Sequence, residues 1–528
     1  MFTACQKDKA DLLMYNGVIY TVNNTFEVVD ALAIRGGRIV DAGTTAGLRE
    51  KYQAAQEIDL QGKPVYPGFI DPHCHFYGYG LGLRQADLTG SASTDEVVAR
   101  LKKHHQQFPS SWIVGRGWDQ NDWENKRFPD KHILDREFPD VPVYLTRVDG
   151  HAAWANSMAL AQAGIELSTT VKGGGVLADA GETTGILLDN AMALVERHLP
   201  DIDHNGKLQA LRAAEKNCFA VGLTLVGDAG LDKHTVLLID SLQQAGQLKM
   251  HVYAMLNPTQ ENIEHFIAKG IYRSASMSVR SVKLFADGAL GSRGALLIMP
   301  YSDNPGNRGI QVTPTEFLSK ICNLAYDKGY QVNTHCIGDS AVRLMLEIYS
   351  SILPENNDLR WRIEHSQVVH PEDFPLFAVY GIVPSVQTTH ATSDMYWAGE
   401  RLGPERIKTA YAYRTLLAQN GWLANGSDFP VESINPLYGF YAAITRKDQK
   451  GYPAEGFLPQ EALTREEALK AMTLWAAKAC YEESSVGSLE KGKSAVFVIL
   501  NRDIMKINES EIPDVRVLET YLDGEKVY

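Results

Sequence analysis

Two histidines two positions apart, His73 and His75, close the run Gly68-Phe-Ile-Asp-Pro-His-Cys-His75. On an extended chain, side chains two residues apart point to the same face, so the pair aims two imidazoles in one direction. That is half of a metal site. Three more isolated residues end similar apolar runs: His335 in Gln331-Val-Asn-Thr-His335, His365 in Arg362-Ile-Glu-His365, and Asp428 in Leu423-Ala-Asn-Gly-Ser-Asp428. Imidazole and carboxylate together suit Zn, Fe, Mn or Ni. Lys283 lies in Val282-Lys-Leu-Phe285, and a lysine in a buried strand is costly unless paired or functional. Burial lowers its pKa, and a neutral amine can take up CO2 to give a carbamate that bridges two metals. Cys74 and Cys336 adjoin these residues but point to the opposite face, which makes them core residues.

Such residues need a scaffold whose strands all end on one side. Apolar runs recur at 65–70, 223–227, 251–256, 279–285, 331–334, 361–363, 382–386 and 422–426, with helical patterns between them. Eight strands each followed by a helix predict an α/β fold, a (β/α)8 TIM barrel over 65–480, whose catalytic groups gather at the C-terminal rim of the strands. A doubly wound open sheet competes, but no Gly-rich phosphate loop follows any strand. Thr464-Arg-Glu-Glu467 carries the signature of a capped helix start. The ends differ from the middle. Asn16-Gly17, Gly36-Gly37 and Asp523-Gly524 separate short apolar runs and predict hairpins. Residues 11–64 and 481–528 are therefore expected to form one small β-sandwich domain. A segment of about 78–205 breaks the alternation. It is too long for a loop and is expected to be an inserted subdomain over the barrel mouth.

Fifty-one Lys and Arg against 64 Asp and Glu leave a net charge of −13, which argues against nucleic acid or an anionic membrane as partner. Six scattered cysteines without a CxxC pair exclude a disulfide framework. No apolar run reaches the length of about 18 residues that a membrane span needs. Phe2-Thr-Ala-Cys5 reads two ways. It is the end of a lipoprotein signal, with a lipid anchor at Cys5, residues 1–10 as a tether and an envelope or periplasmic location; or the match is accidental and the protein is cytoplasmic.

HxH on the first strand, Lys on the fourth, His on the fifth and sixth and Asp on the eighth resemble the amidohydrolase superfamily. More narrowly, the chain is similar to the branch containing N-substituted formamide deformylases. The motifs carrying that likeness are Gly117-Trp118-Asp119, Asp149-Gly-His-Ala-Ala-Trp-Ala-Asn156, Gly181-Glu-Thr-Thr-Gly-Ile-Leu187, Asp287-Gly288 to Gly291-Ser-Arg293, His335-Cys-Ile-Gly-Asp339 and Gly426-Ser-Asp-Phe-Pro430. Lys493-Ser-Ala-Val-Phe-Val departs from the usual Ala-Asp, away from the chemistry. The resemblance implies two divalent metal ions, Zn foremost. His73 and His75 would hold one with Asp428, His335 and His365 the other, and a CO2-derived carbamate on Lys283 would bridge them. It further implies hydrolysis of a C–N bond in a small-molecule substrate by a metal-activated hydroxide, with Asp428 as base and then acid, and a homodimer. His151, Trp118, Asp287 and Arg293 are the expected substrate contacts, with Arg84, Arg147 or Arg293 available for a substrate carboxylate. Three alternatives stay open. One is a mononuclear deaminase-like site of His73, His75, His365 and Asp428. Another is phosphotriester hydrolysis on the same metals. The third is a non-catalytic binding protein of the same fold.

Overall fold

The computed structural model describes residues 7–528, so the reading of Cys5 falls outside the described residues. Eight parallel strands follow one another around a nearly closed barrel: β1 (Phe69–Cys74), β2 (Leu223–Leu231), β3 (His251–Leu256), β4 (Met277–Phe285), β5 (Gln331–Cys336), β6 (Arg362–His365), β7 (Val383–Val386) and β8 (Ala424–Asn425). β1, β5, β6 and β7 are buried at every position, as strands covered on both faces must be. The last strand meets the first at a seam. Asp71 on β1 accepts from the Ser427 backbone N–H, the Ser427 hydroxyl and the His73 N–H. The Asp428 N–H donates to the His73 carbonyl at 2.9 Å. Gly426 makes this approach possible, because a Cβ there would stand 2.5 Å from Asp71 Oδ1 and 2.9 Å from His73 O.

Both chain ends feed a two-layer β-sandwich. One sheet holds Asp8–Tyr15, Ala31–Arg35, Arg38–Gly43 and Tyr52–Asp59; the other includes Val18–Tyr20, Pro64–Pro67, Phe497–Leu500 and Val517–Leu522. Leu12, Met14, Ile34, Val65 and Phe497 fill the space between them. Three expectations change here. Asn16-Gly17 makes no hairpin: the flanking strands enter different sheets, and Gly17 lets the chain cross where a Cβ would lie 2.4 Å from Leu60 Cδ1. The apolar run 65–70 is divided at Gly68, with Pro64–Pro67 in the sandwich and Phe69 onward in the barrel. Asp8–Ala10, expected in a tether, pair with Tyr52–Ala54 in a strand. The Gly36-Gly37 and Asp523-Gly524 turns do close hairpins, and Thr464 with Glu467 forms a full capping box. Among the described residues no helix is long and apolar enough to cross a membrane.

Between β1 and β2 lies a separate six-stranded sheet that includes Ile113–Trp118, Val143–Arg147, Ala152–Ala155 and Glu182–Asp189. Its core is aromatic. Trp118 is fully buried against Trp123 and Trp154, and its indole N–H donates to Leu145 O at 2.8 Å. Trp118 is thus a packing residue and not the expected substrate contact, because its one polar atom is already satisfied inside the core. Trp118→Ala should cost about 3–5 kcal/mol through the cavity left behind, read as a lower urea midpoint; an altered KM with unchanged stability would contradict this placement.

Candidate metal centre and active site

His73, His75, Lys283, His365 and Asp428 converge at the seam. Each of three histidines has its Nδ1 committed elsewhere: His73 to Glu364 Oε2 at 2.7 Å, His75 to Ala229 O at 3.1 Å, and His365 to Gln387 Oε1 at 2.7 Å. Fixing Nδ1 fixes the ring and leaves Nε2 as the free nitrogen. The Nε2 atoms of His73 and His75 lie 3.4 and 3.2 Å from Asp428 Oδ1. One ligand atom each from His73, His365 and Asp428 sits within 4.8 Å of the others. Lys283 Nζ is 3.0 Å from His73 Nε2. His335 packs its ring 4.5 Å from that of His365, but its Nε2 faces Gly288 O at 3.3 Å, so Nδ1 is the atom left for a ligand role.

The backbone is strained where it aims these groups. His365, Ser366 and Asp428 have φ of 74°, 45° and 59°, a left-handed region that costs a non-glycine residue energy and persists mainly where the surroundings enforce it. The turn at His365 breaks the alternation of β6, so the adjacent Glu364 and His365 both serve the cluster.

Charge follows burial and pairing. Burial holds His365 and His335 well below the usual imidazole range, which keeps them neutral and able to bind a metal. Burial also lowers the Lys283 ammonium towards the neutral amine. Burial opposes ionisation of Asp428, but the imidazoles of His73 and His75 outweigh it and hold its carboxyl well below the ordinary value. Glu364 is likewise buried, yet His73 and Arg362 pull it down to about 2. Asp428 Oδ1 is buried without a hydrogen bond. A buried anion with an unpartnered oxygen, beside the His75 and His365 imidazoles that burial shifts towards the neutral form, fits a divalent metal ion.

A cavity of about 280 Å³ opens above this cluster, with His335, His365 and Asp428 at its base and inserted-sheet residues in its wall. His151 lines it, its Nδ1 held by Asp189 Oδ1 at 2.7 Å and its ring 4.7 Å from that of His335. Two other expected contacts do not line it. Asp287 is fully buried and accepts the backbone N–H groups of Ile337, Gly338 and Leu296, so it shapes the loop after β5. Arg293 pairs with Asp303 at 2.8 Å outside the cavity. Arg84 lines a different depression, and Arg147, though in the wall, is buried and paired with Asp119 and Asp149. The sequence reading passed over Glu364, Gln387 and Asp71. Their one legible signal is a polar side chain inside or directly after a buried strand.

The sequence profile described as the amidohydrolase family matches residues 56–528. The putative amidohydrolase YtcJ of Bacillus subtilis is 33% identical over 98% of this chain and 99% of its own. The N-substituted formamide deformylase of Arthrobacter pascens is 27% identical over 97% of both chains. An uncharacterized metal-dependent hydrolase from Pyrococcus horikoshii OT3 superposes with a TM-score of 0.77 at 28% identity, covering 94% of this chain and 99% of that one.

Glu364→Gln keeps the shape of the His73 partner but removes its charge. It should weaken metal binding by about 10–100-fold, measured by chelator competition. Gly426→Ala should weaken it too, by pushing Asp71 and His73 apart; wild-type affinity in both would refute this account of the seam.

Proposed function

The chain belongs to the amidohydrolase family, and we propose that it hydrolyses the C–N bond of an N-acyl or N-formyl amine in this cavity. The observation that carries the reading is the set of three histidines whose Nδ1 atoms are tied elsewhere while a buried, ionised Asp428 lies at the cluster they form. His73, His75 and Asp428 would hold one divalent metal, and His335 and His365 a second. Lys283 would join them as a carbamate, formed when its neutral Nζ adds to CO2 and releases a proton. Metal bound there supplies Lewis-acid polarisation of the scissile carbonyl and makes water a stronger acid. Asp428 takes the proton from the attacking water and delivers it to the leaving nitrogen, as base and then acid. Asp189 orients His151 in the cavity wall, where its Nε2 can meet the substrate.

One observation favours a second reading. The tight cluster comprises His73, His365 and Asp428, while His335 Nε2 faces Gly288 O. That arrangement suits one metal and an unmodified Lys283.

Metal content separates the two. Protein prepared with bicarbonate and without chelators should carry about two transition metals per chain if binuclear and about one if mononuclear. His335→Ala should halve the content of a binuclear enzyme and leave that of a mononuclear one unchanged. Lys283→Ala should abolish turnover of the binuclear form, with partial rescue by short carboxylic acids. A protein that binds neither Zn nor Mn on reconstitution, or that cleaves no N-formyl or N-acyl amine when loaded, would overturn the proposal.

A further inference from the structure

The cavity wall is rich in carboxyl groups, and few of them have a cationic partner. Among the described residues Arg147 is the one lysine or arginine that lines it, and its guanidinium is already taken by Asp119, Asp149 and Gln120. Asp122, Asp394 and Glu432 also line it, and among the described residues none has an ion-pair partner. Asp394 accepts only from the Tyr411 hydroxyl at 2.8 Å, and Glu432 from the Ser393 hydroxyl at 2.6 Å. Burial without a cation pushes Glu432 up to about 7 and Asp394 well above the ordinary carboxyl value. An adjoining cavity of about 240 Å³ shares Asp122, Ser393 and Glu432 and adds the rings of Tyr396, Tyr438 and Tyr441. Lys447 and Asp448 line it too, one charge of each sign. Carboxylates beside aromatic faces are the usual surroundings of a bound organic cation.

A second observation, independent of the acids, marks the cavity as built for a polar ligand. Gln367 and His390 are 4% and 6% exposed and line its wall. Gln367 Nε2 can only donate, so His390 Nδ1, 3.1 Å away, accepts, and the ring proton is on Nε2. That His390 Nε2–H and Gln367 Oε1 are both buried without a partner. An unused donor and an unused acceptor match the C=O and N–H of one amide, and leaving them unmade is costly.

We propose that the site selects an acylated amine whose amine portion carries a second, positively charged nitrogen. His390 and Gln367 take the amide, and Asp122, Asp394 and Glu432 hold the cation. This rests on the C–N hydrolase reading. It replaces an arginine–carboxylate contact as the basis of specificity, since the candidate arginines are paired or elsewhere.

The N-formyl and N-acetyl derivatives of putrescine, butylamine and γ-aminobutyrate share a chain length and end in a positive, a neutral and a negative group. With metal-loaded enzyme, kcat/KM for the putrescine derivative should exceed that of the butylamine derivative by about tenfold or more, the scale of one charged hydrogen bond. The γ-aminobutyrate derivative should be poorest. Glu432→Gln and the more exposed Asp122→Asn should each shrink the ratio of the first to the second. An equal or inverted order, or a ratio unmoved by both variants, overturns the charge assignment and leaves the hydrolase reading standing. If no member is cleaved, the hydrolase reading fails by itself, and calorimetry on the metal-loaded protein decides the charge assignment. Putrescine binding more tightly than butylamine upholds it, and equal or weaker binding overturns it.

Discussion

Closure of the barrel between β8 and β1 is the constraint on which the rest of the site depends. Asp71 reaches across the seam and is clamped by three hydrogen bonds from Ser427 and His73. Its burial is unfavourable and raises its carboxyl to about 7, against the pull of those bonds. The clamp and the Asp428 N–H to His73 O bond fix the two chain segments at backbone level. Only then do Asp428 and His73, separated by the whole barrel in sequence, present side chains a few ångströms apart. A one-residue slip at this seam would turn one of them to the other face of the sheet.

Around the seam the protein spends stability on orientation. Glu364, Gln387 and the Ala229 carbonyl each hold one imidazole nitrogen, and the left-handed residues His365, Ser366 and Asp428 turn neighbouring side chains inward. Charges without solvent are costly unless paired. Each keeps one buried oxygen without a hydrogen bond, but Glu364 Oε1 faces the Arg362 guanidinium at 3.6 Å while its Oε2 holds His73 Nδ1, whereas Asp428 Oδ1 faces the Nε2 atoms of His73 and His75. The contrast between those two buried carboxylates separates a group that orients a ligand from a group that is itself one.

The inserted sheet does different work. It packs around an aromatic core, and the end of one of its strands with the adjoining loops brings Arg147, Asp119 and His151 to the cavity above the histidine–aspartate cluster. The barrel supplies the reactive rim, as such barrels do, and the insertion supplies much of the wall that chooses the substrate.

Local sequence was enough to bring out the residues that converge at the seam and the scaffold that carries them. A residue's face within a strand, a cap at a helix start and a Gly-Gly turn are set by neighbours a few positions away, so His73 with His75, the Thr464–Glu467 box and the Gly36-Gly37 hairpin could all be read directly. Eight apolar runs ending in polar residues gave the barrel and its rim. What could not be read was every choice made between distant segments. Asn16-Gly17 has the chemistry of a hairpin, yet its flanking strands find better partners in two different sheets. Trp118 beside Asp119 has the look of a pocket wall, yet its indole closes a core assembled from five strands. Glu364 became a positioning group only when His73 arrived opposite it, and Arg147 lost its availability only when Asp119 and Asp149 closed on it. Periodicity fixes the direction of a side chain within its own element. Which group it meets there is decided by packing and charge pairing across the fold, and those exist only once the chain has closed.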